Sequence, residues 1–116
     1  MQLSVNRCIL LGAIGKGGVE VSYHGQGTAK AAFTLVVSEL GSDGKEHHLW
    51  QPCEVWGKKA EAAGELDPGS WILIEGRLKR VKKGETWETI VSGFDCQPLR
   101  SAAPVPAAVG WPEERR

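Results

Sequence analysis

His47, His48 and Cys53 are the residues whose types come nearest to a thiol nucleophile with its base, or to the start of a metal cluster. Neighbouring residues of a strand point to opposite faces, so the two histidines cannot converge on one atom. No fourth ligand stands at zinc-like spacing, and no Gly-rich phosphate loop or nucleophile elbow is present. Catalysis, a bound metal and a cofactor are not expected. A second set of residues is better matched to binding. In "HHLWQPCEVWGKKAE", residues 47–61, Trp50 and Trp56 are six apart in an extended run that breaks at Gly57-Lys58-Lys59. An even spacing puts both indoles on one strand face, opposite Cys53 and Val55. A strand tryptophan on its own is usually core, whereas two sharing a face with lysines beside them form a surface for a ligand.

Charge adds to this second set. The formal net charge is zero, but "RLKRVKK" gathers Arg77, Lys79, Arg80, Lys82 and Lys83 without an acid, while acids collect around Glu61–Asp67 and at Glu113 and Glu114. Distribution matters more than the sum. By itself such a run reads as a solvated hairpin arm.

The elements that must position these residues are mostly strands. "SVNRCILLGAI" reads as a strand, the Gly-rich turn "GKGG" follows, and "VEVSYHG" is a second extended piece. "TAKAAFTLVVSE" alternates strictly, with Ala29, Ala31, Phe33, Leu35 and Val37 on one face and Lys30, Ala32, Thr34, Val36 and Ser38 on the other. The tryptophan strand comes next, then one short helix, "KKAEAAGEL", whose Ala60, Ala63 and Leu66 make a narrow apolar stripe ended by "DPGS". "WILIEGRLKRV" and "TWETIVSGFDC" form a hairpin through "KKGE". Alternation places Ile72, Ile74, Gly76 and Leu78 toward the interior and Trp71, Leu73, Glu75 and Arg77 outward. Pro52 cannot donate to a ladder, which predicts a bulge or a locally unpaired edge there.

This order predicts an all-β OB-fold, a five-stranded Greek-key barrel with a helix between its third and fourth strands. The 116 residues, 41% hydrophobic and 24% charged, suit one domain. That domain is expected over residues 1–97, with a short Pro/Ala-rich tail over 98–116. The apolar runs are too short to span a bilayer, and the start lacks a signal peptide's basic region and cleavage site. Cys8, Cys53 and Cys96, an odd set without CxxC spacing, are expected as reduced and mostly buried thiols of a cytoplasmic protein.

Four stretches in order, "NRCILLGAIGK", "GTAKAAFTLVVSE", "WQPCEVWGKKAEAAGE" and "GSWILIEGRLK", resemble the bacterial-type single-stranded DNA-binding proteins from about residue 5 to residue 95. The resemblance implies an OB-fold, usually a homotetramer, that binds single-stranded DNA with little sequence preference and serves replication, recombination or repair in the cytoplasm, at the nucleoid or in a phage or plasmid setting. It makes Trp50 and Trp56 stacking platforms, since every base offers a π-face. It gives Arg77, Lys79, Arg80, Lys82, Lys83 and Lys30 a role in neutralising phosphates, with Lys58 and Lys59 as weaker candidates. It also places Arg7 in a strand used for subunit pairing. Trp71 and Leu73, costly in water, are expected at a subunit contact, with Gln51 where many relatives carry a histidine.

The chain departs from that pattern in places. A tryptophan frequent after "SE" falls near Leu40 and Gly41, and the aromatic expected near the end of the "WILIEGRLKRV" strand falls on Lys83, with Trp87, a few residues later across a shortened hairpin, as its substitute. Glu54 beside a phosphate path would weaken binding. The tail ends "WPEERR", not in an acidic, hydrophobic tip, so recruitment of partner enzymes is not carried over. Two alternatives keep the fold: a dimeric primosome-type protein for replication restart, and a protein-interaction OB domain that ignores oligonucleotides.

Overall fold

Alternating apolar residues need a second surface to bury against, and the chain supplies it by rolling its strands into a closed sheet. The computed structural model describes residues 3–99. In order these form β1 (Cys8–Ile14), β2 (Glu20–His24), β3 (Thr28–Leu40), β4 (Glu46–Trp56), α1 (Lys58–Ala63), β5 (Trp71–Lys83) and β6 (Thr86–Pro98). The strands pair as β1-β5-β6-β4-β3, and β1 returns to β3 through Ala13 with Val36 and Ile14 with Leu35. That last pairing closes a five-stranded barrel with its helix in the expected slot. The OB-fold expectation holds.

The extended piece "VEVSYHG" becomes the short strand β2. It pairs with β3 from Glu20 with Ala32 to His24 with Thr28, on the edge that β1 uses further along. The Gly-rich turn separates the two, with Gly15 N–H donating to Thr34 O at 2.9 Å.

The interior follows the period-2 pattern. Ala29, Ala31, Phe33 and Leu35 of β3 face Cys53 and Val55 of β4, Ile72 and Ile74 of β5, Ile14 of β1 and Val91 of β6. Truncating one of the large members to alanine costs about 2–5 kcal/mol by lost transfer energy and the cavity left. Ala60 and Ala63 are fully buried, so α1 caps one end of the barrel, with Leu66 packed beside them. The helix spans six residues, shorter than the nine of "KKAEAAGEL". Gly57 turns the chain from β4 into α1 at φ 84°, where a side chain would be strained.

One expectation needs correcting, and another holds in only one of its two forms. Leu78 does not lie in the interior but is 48% exposed. The last β1 partner on β5 is Cys8 opposite Gly76, so beyond it β5 pairs with β6 alone, and past Val91, the last β4 partner, the two run on as a two-stranded arm. Asn6 reaches Leu78, donating to Leu78 O at 2.8 Å and accepting from Leu78 N at 2.9 Å. Pro52 brings a locally unpaired edge and not a bulge, since β3 and β4 keep register through Thr34 opposite Pro52. The unpaired edge is on the other side, where the parallel β4–β6 ladder begins only at Cys53. The register shift lies instead at Glu75/Gly76, where Phe94 of β6 is skipped. A Cβ at Gly76 would strike the Ser92 carbonyl oxygen, so this crossing needs glycine.

Cys53 and Cys96 are buried, Cys8 is half-buried, and all three are free thiols. Burial, followed by the neighbouring Cys8, pushes the Cys53 thiol up from 9.0 to about 12. Among the described residues no helix is long and apolar enough to cross a membrane. From residue 100 the Pro/Ala-rich tail lies outside the described residues.

Candidate nucleic-acid interface

Alternation along β4 brings Trp50, Pro52, Glu54 and Trp56 to the outer surface of the barrel while Cys53 and Val55 point inward. With Lys30, Ala32 and Thr34 of β3 and with Val81, Lys83, Glu88 and Ile90 of the arm, Trp50, Pro52 and Glu54 of this face line an open groove of about 660 Å³. Trp56 adjoins the groove through its lining residues Glu54 and Lys30 and is 38% exposed. Its indole N–H donates to Glu54 Oε2 at 2.6 Å, and Lys30 Nζ lies 5.6 Å from its ring centroid. The His24 ring, hydrogen-bonded to Ser22 Oγ, sits 5.3 Å from it. One indole edge is thus held while the side chain stays partly exposed.

Trp50 is half-buried against the groove wall. His48 meets it edge-on at 6.0 Å and is held in turn by Ser38 Oγ at 2.9 Å. Trp50 Nε1 is buried and has no hydrogen-bond partner among the described residues. Such an orphan donor costs about 1–3 kcal/mol unless an acceptor reaches it.

Glu54, only 4% exposed, is the charged hub of this face. Its Oε2 accepts from Trp56, from Ser92 Oγ at 3.3 Å and from Lys79 Nζ at 3.4 Å, and Lys30 Nζ lies 4.0 Å from Oε1. Burial pushes the carboxyl up. The Trp56 hydrogen bond and the charges of Lys79 and Lys30 together outweigh it and leave Glu54 below its ordinary value.

The basic run is divided by the pleat of the arm. Arg77, Lys79, Val81 and Lys83 pair across from Ser92, Ile90, Glu88 and Thr86 and share the groove face. Lys83 Nζ is 3.7 Å from Glu88. Arg80 lies on the opposite face, its guanidinium 5.1 Å from the ring of Trp87, which is 57% exposed. Lys82 pairs with Trp87 at the arm's tip and also borders the groove. The structure therefore brings together Trp50, Trp56, Lys30, Lys79 and Lys83, and sets Trp87 and Arg80 apart. Of the weaker candidates, Lys59 is tied to Asp95 at 3.2 Å.

The remaining predicted positions lie elsewhere. Trp71 (39% exposed) and half-buried Leu73 stand on the outward face of β5, opposite Ala13 and Leu11 of β1, and Arg7 forms an ion pair with Glu75 at the rim. Gln51 is away from that patch, its amide donating to Pro52 O at 2.9 Å and Thr89 O at 3.2 Å. Reasoning from sequence missed Ile9 and Leu11, exposed beside Leu73, although the alternation of "CILLGAI" marks them. It also missed His24, which only cross-strand register brings to Trp56, and the contact of His48 with Trp50, although their spacing of two on one strand puts them on the same face. His47 binds Asp43 of the β3–β4 turn at 3.1 Å and does not meet Cys53. Among the described residues no group of three or more potential ligands could hold a metal.

A barrel of this topology with an aromatic, lysine-edged groove agrees with what the sequence matches. The pattern of the single-strand binding protein family fits residues 5–89. The chain belongs to that family. It is also 39% identical over 92 residues to Single-stranded DNA-binding protein 1 of Synechocystis sp., covering 78% of this chain and 72% of that protein. Single-strand binding proteins hold DNA without catalysing a reaction, in keeping with the dispersed histidines and buried thiols.

Proposed function

We propose that this chain coats single-stranded DNA with little sequence preference, as a homo-oligomer, during replication, recombination or repair. Bases stack on Trp56 and Trp50, and phosphates run past Lys30, Lys79 and Lys83. The observation that carries this reading is Trp56, an indole with one edge anchored, a lysine beside its ring and more than a third of its surface exposed next to the groove. Stacking binds any base because every base has a π-face. A strand seated there also offers acceptors to the orphan Trp50 N–H. A strand that continues round the arm reaches Trp87 and Arg80 next, with Arg77 and Lys82 along its way. Subunits pair through the outward faces of β1 and β5, where Ile9, Leu11, Leu73 and Trp71 form an apolar ladder.

Titrating a thymidine oligonucleotide into the protein at low salt tests this directly. Binding should quench tryptophan fluorescence, because stacked indoles lose emission. An unchanged spectrum together with no measurable binding would leave the barrel as a protein-interaction domain.

A further inference from the structure

Glu54 is an unexpected residue for a DNA-facing groove, because a carboxylate repels phosphate. Yet it stands between Trp50 and Trp56 on their shared face, almost wholly buried. Its contacts come from three other strands as well as its own: Lys30 from β3, Lys79 from β5 and Ser92 from β6. The indole of Trp56 is the closest of them.

We propose that Glu54 is a positioning residue of the groove, holding Trp56 edge-on for stacking and tethering Lys30 and Lys79 so that this cluster offers phosphates one net positive charge instead of two. The proposal rests on the groove being the DNA site. Rotation about the bond to an aromatic ring is broad and soft, so an indole without an anchored edge swings between orientations. An in-plane acceptor at the N–H removes that freedom before a base arrives. The electrostatic consequence follows from counting charges. Two ammonium groups and one carboxylate sum to a single positive charge, and partly buried charges are screened less by salt than exposed ones. A phosphate entering the groove must draw the lysines from Glu54 or tolerate it. The affinity at low salt and its loss with added salt are both smaller than the lysine count implies.

Salt titrations of the full chain with a thymidine oligonucleotide, between about 50 and 200 mM, read this out. E54Q keeps an acceptor oxygen for Trp56 and removes the charge. Its log-affinity against log-salt slope should steepen by about 0.7, an extra loss of about 2.5-fold across that range, with quenching at saturation preserved. E54Q/K79Q restores a cluster of one positive charge, and its slope should return to that of the unsubstituted protein. E54V removes charge and acceptor together, so it should show the steeper slope with weaker quenching. Its β-branched side chain suits a strand, and it carries the slope test if E54Q melts below the working temperature. A purely structural Glu54 would alter the melting temperature and leave the slope alone. Parallel slopes for the unsubstituted protein and whichever variant folds, with both binding, would overturn the proposal. Failure of the unsubstituted protein to bind would instead overturn the assignment of the groove.

Discussion

Trp56 and Trp71 are almost equally exposed, at 38% and 39%, on different parts of one barrel surface. Their surroundings differ in kind. Trp56 is interleaved with Lys30, His24 and the Glu54 carboxylate. Trp71 continues a ladder of Leu73, Leu11 and Ile9, with charge confined to the Arg7–Glu75 pair at its rim. Exposure alone therefore does not say what an aromatic ring meets. A ring among cations and fixed polar edges suits a polyanion that also presents flat faces, because stacking and phosphate neutralisation are then satisfied together. A ring among aliphatic side chains gains most from another dry surface.

Separate substitutions on the two surfaces can break that comparison. The largest effect is expected at the groove. Trp56→Ala, and likewise Trp50→Ala, should weaken binding of a short oligonucleotide by about 1–3 kcal/mol, roughly 5- to 150-fold, with little change in melting temperature. Trp71→Glu should leave that affinity close to unchanged while lowering the mass seen by light scattering, from the tetramer that the family resemblance implies to a smaller species. A Trp71 variant that loses as much affinity as Trp56→Ala would erase the distinction. A monomeric parent protein would remove the reason for the apolar ladder.

A smaller effect separates the two faces of the arm. Lys79→Gln should flatten the salt dependence for short oligonucleotides by about 0.7, the slope of one single-strand phosphate contact. Arg80→Gln should do so only with strands long enough to pass round the arm to Trp87. Equal effects of both at every length would mean that the pleat does not divide the basic run.

The smallest effect concerns the core behind the groove. Cys53 stays protonated in the fold up to about pH 12, against 9.0 for an ordinary thiol. The folded state then holds more protons than the unfolded state between those values, so stability is full below about pH 9 and falls as pH rises above it. Denaturant midpoints compared at pH 7 and pH 10 should show a modest drop that Cys53→Val reduces. At neutral pH an alkylating reagent should modify Cys53 only after unfolding, since the thiolate is the reactive form.

Local periodicity alone determined much of this molecule. Strand geometry repeats every two residues wherever the strand goes, so Trp50 and Trp56 share a face and Ala29, Ala31, Phe33 and Leu35 share another, whatever lies across from them. The burial of Ala60 and Ala63 follows from helical spacing in the same way. Position relative to other strands is different, because it depends on where each strand stops. Leu78 keeps the parity of Ile72 and Ile74 but lies beyond the end of β1, so it is exposed. Glu54 reads as a liability until Lys30, Lys79 and Ser92 arrive from three other strands to surround its carboxylate. Arg80 and Lys79 are neighbours in the chain and belong to opposite faces, and only the β5–β6 register shows which of them joins the groove. Which residues share a face is set within a few residues of chain, whereas what that face meets is set by contacts between segments far apart in sequence.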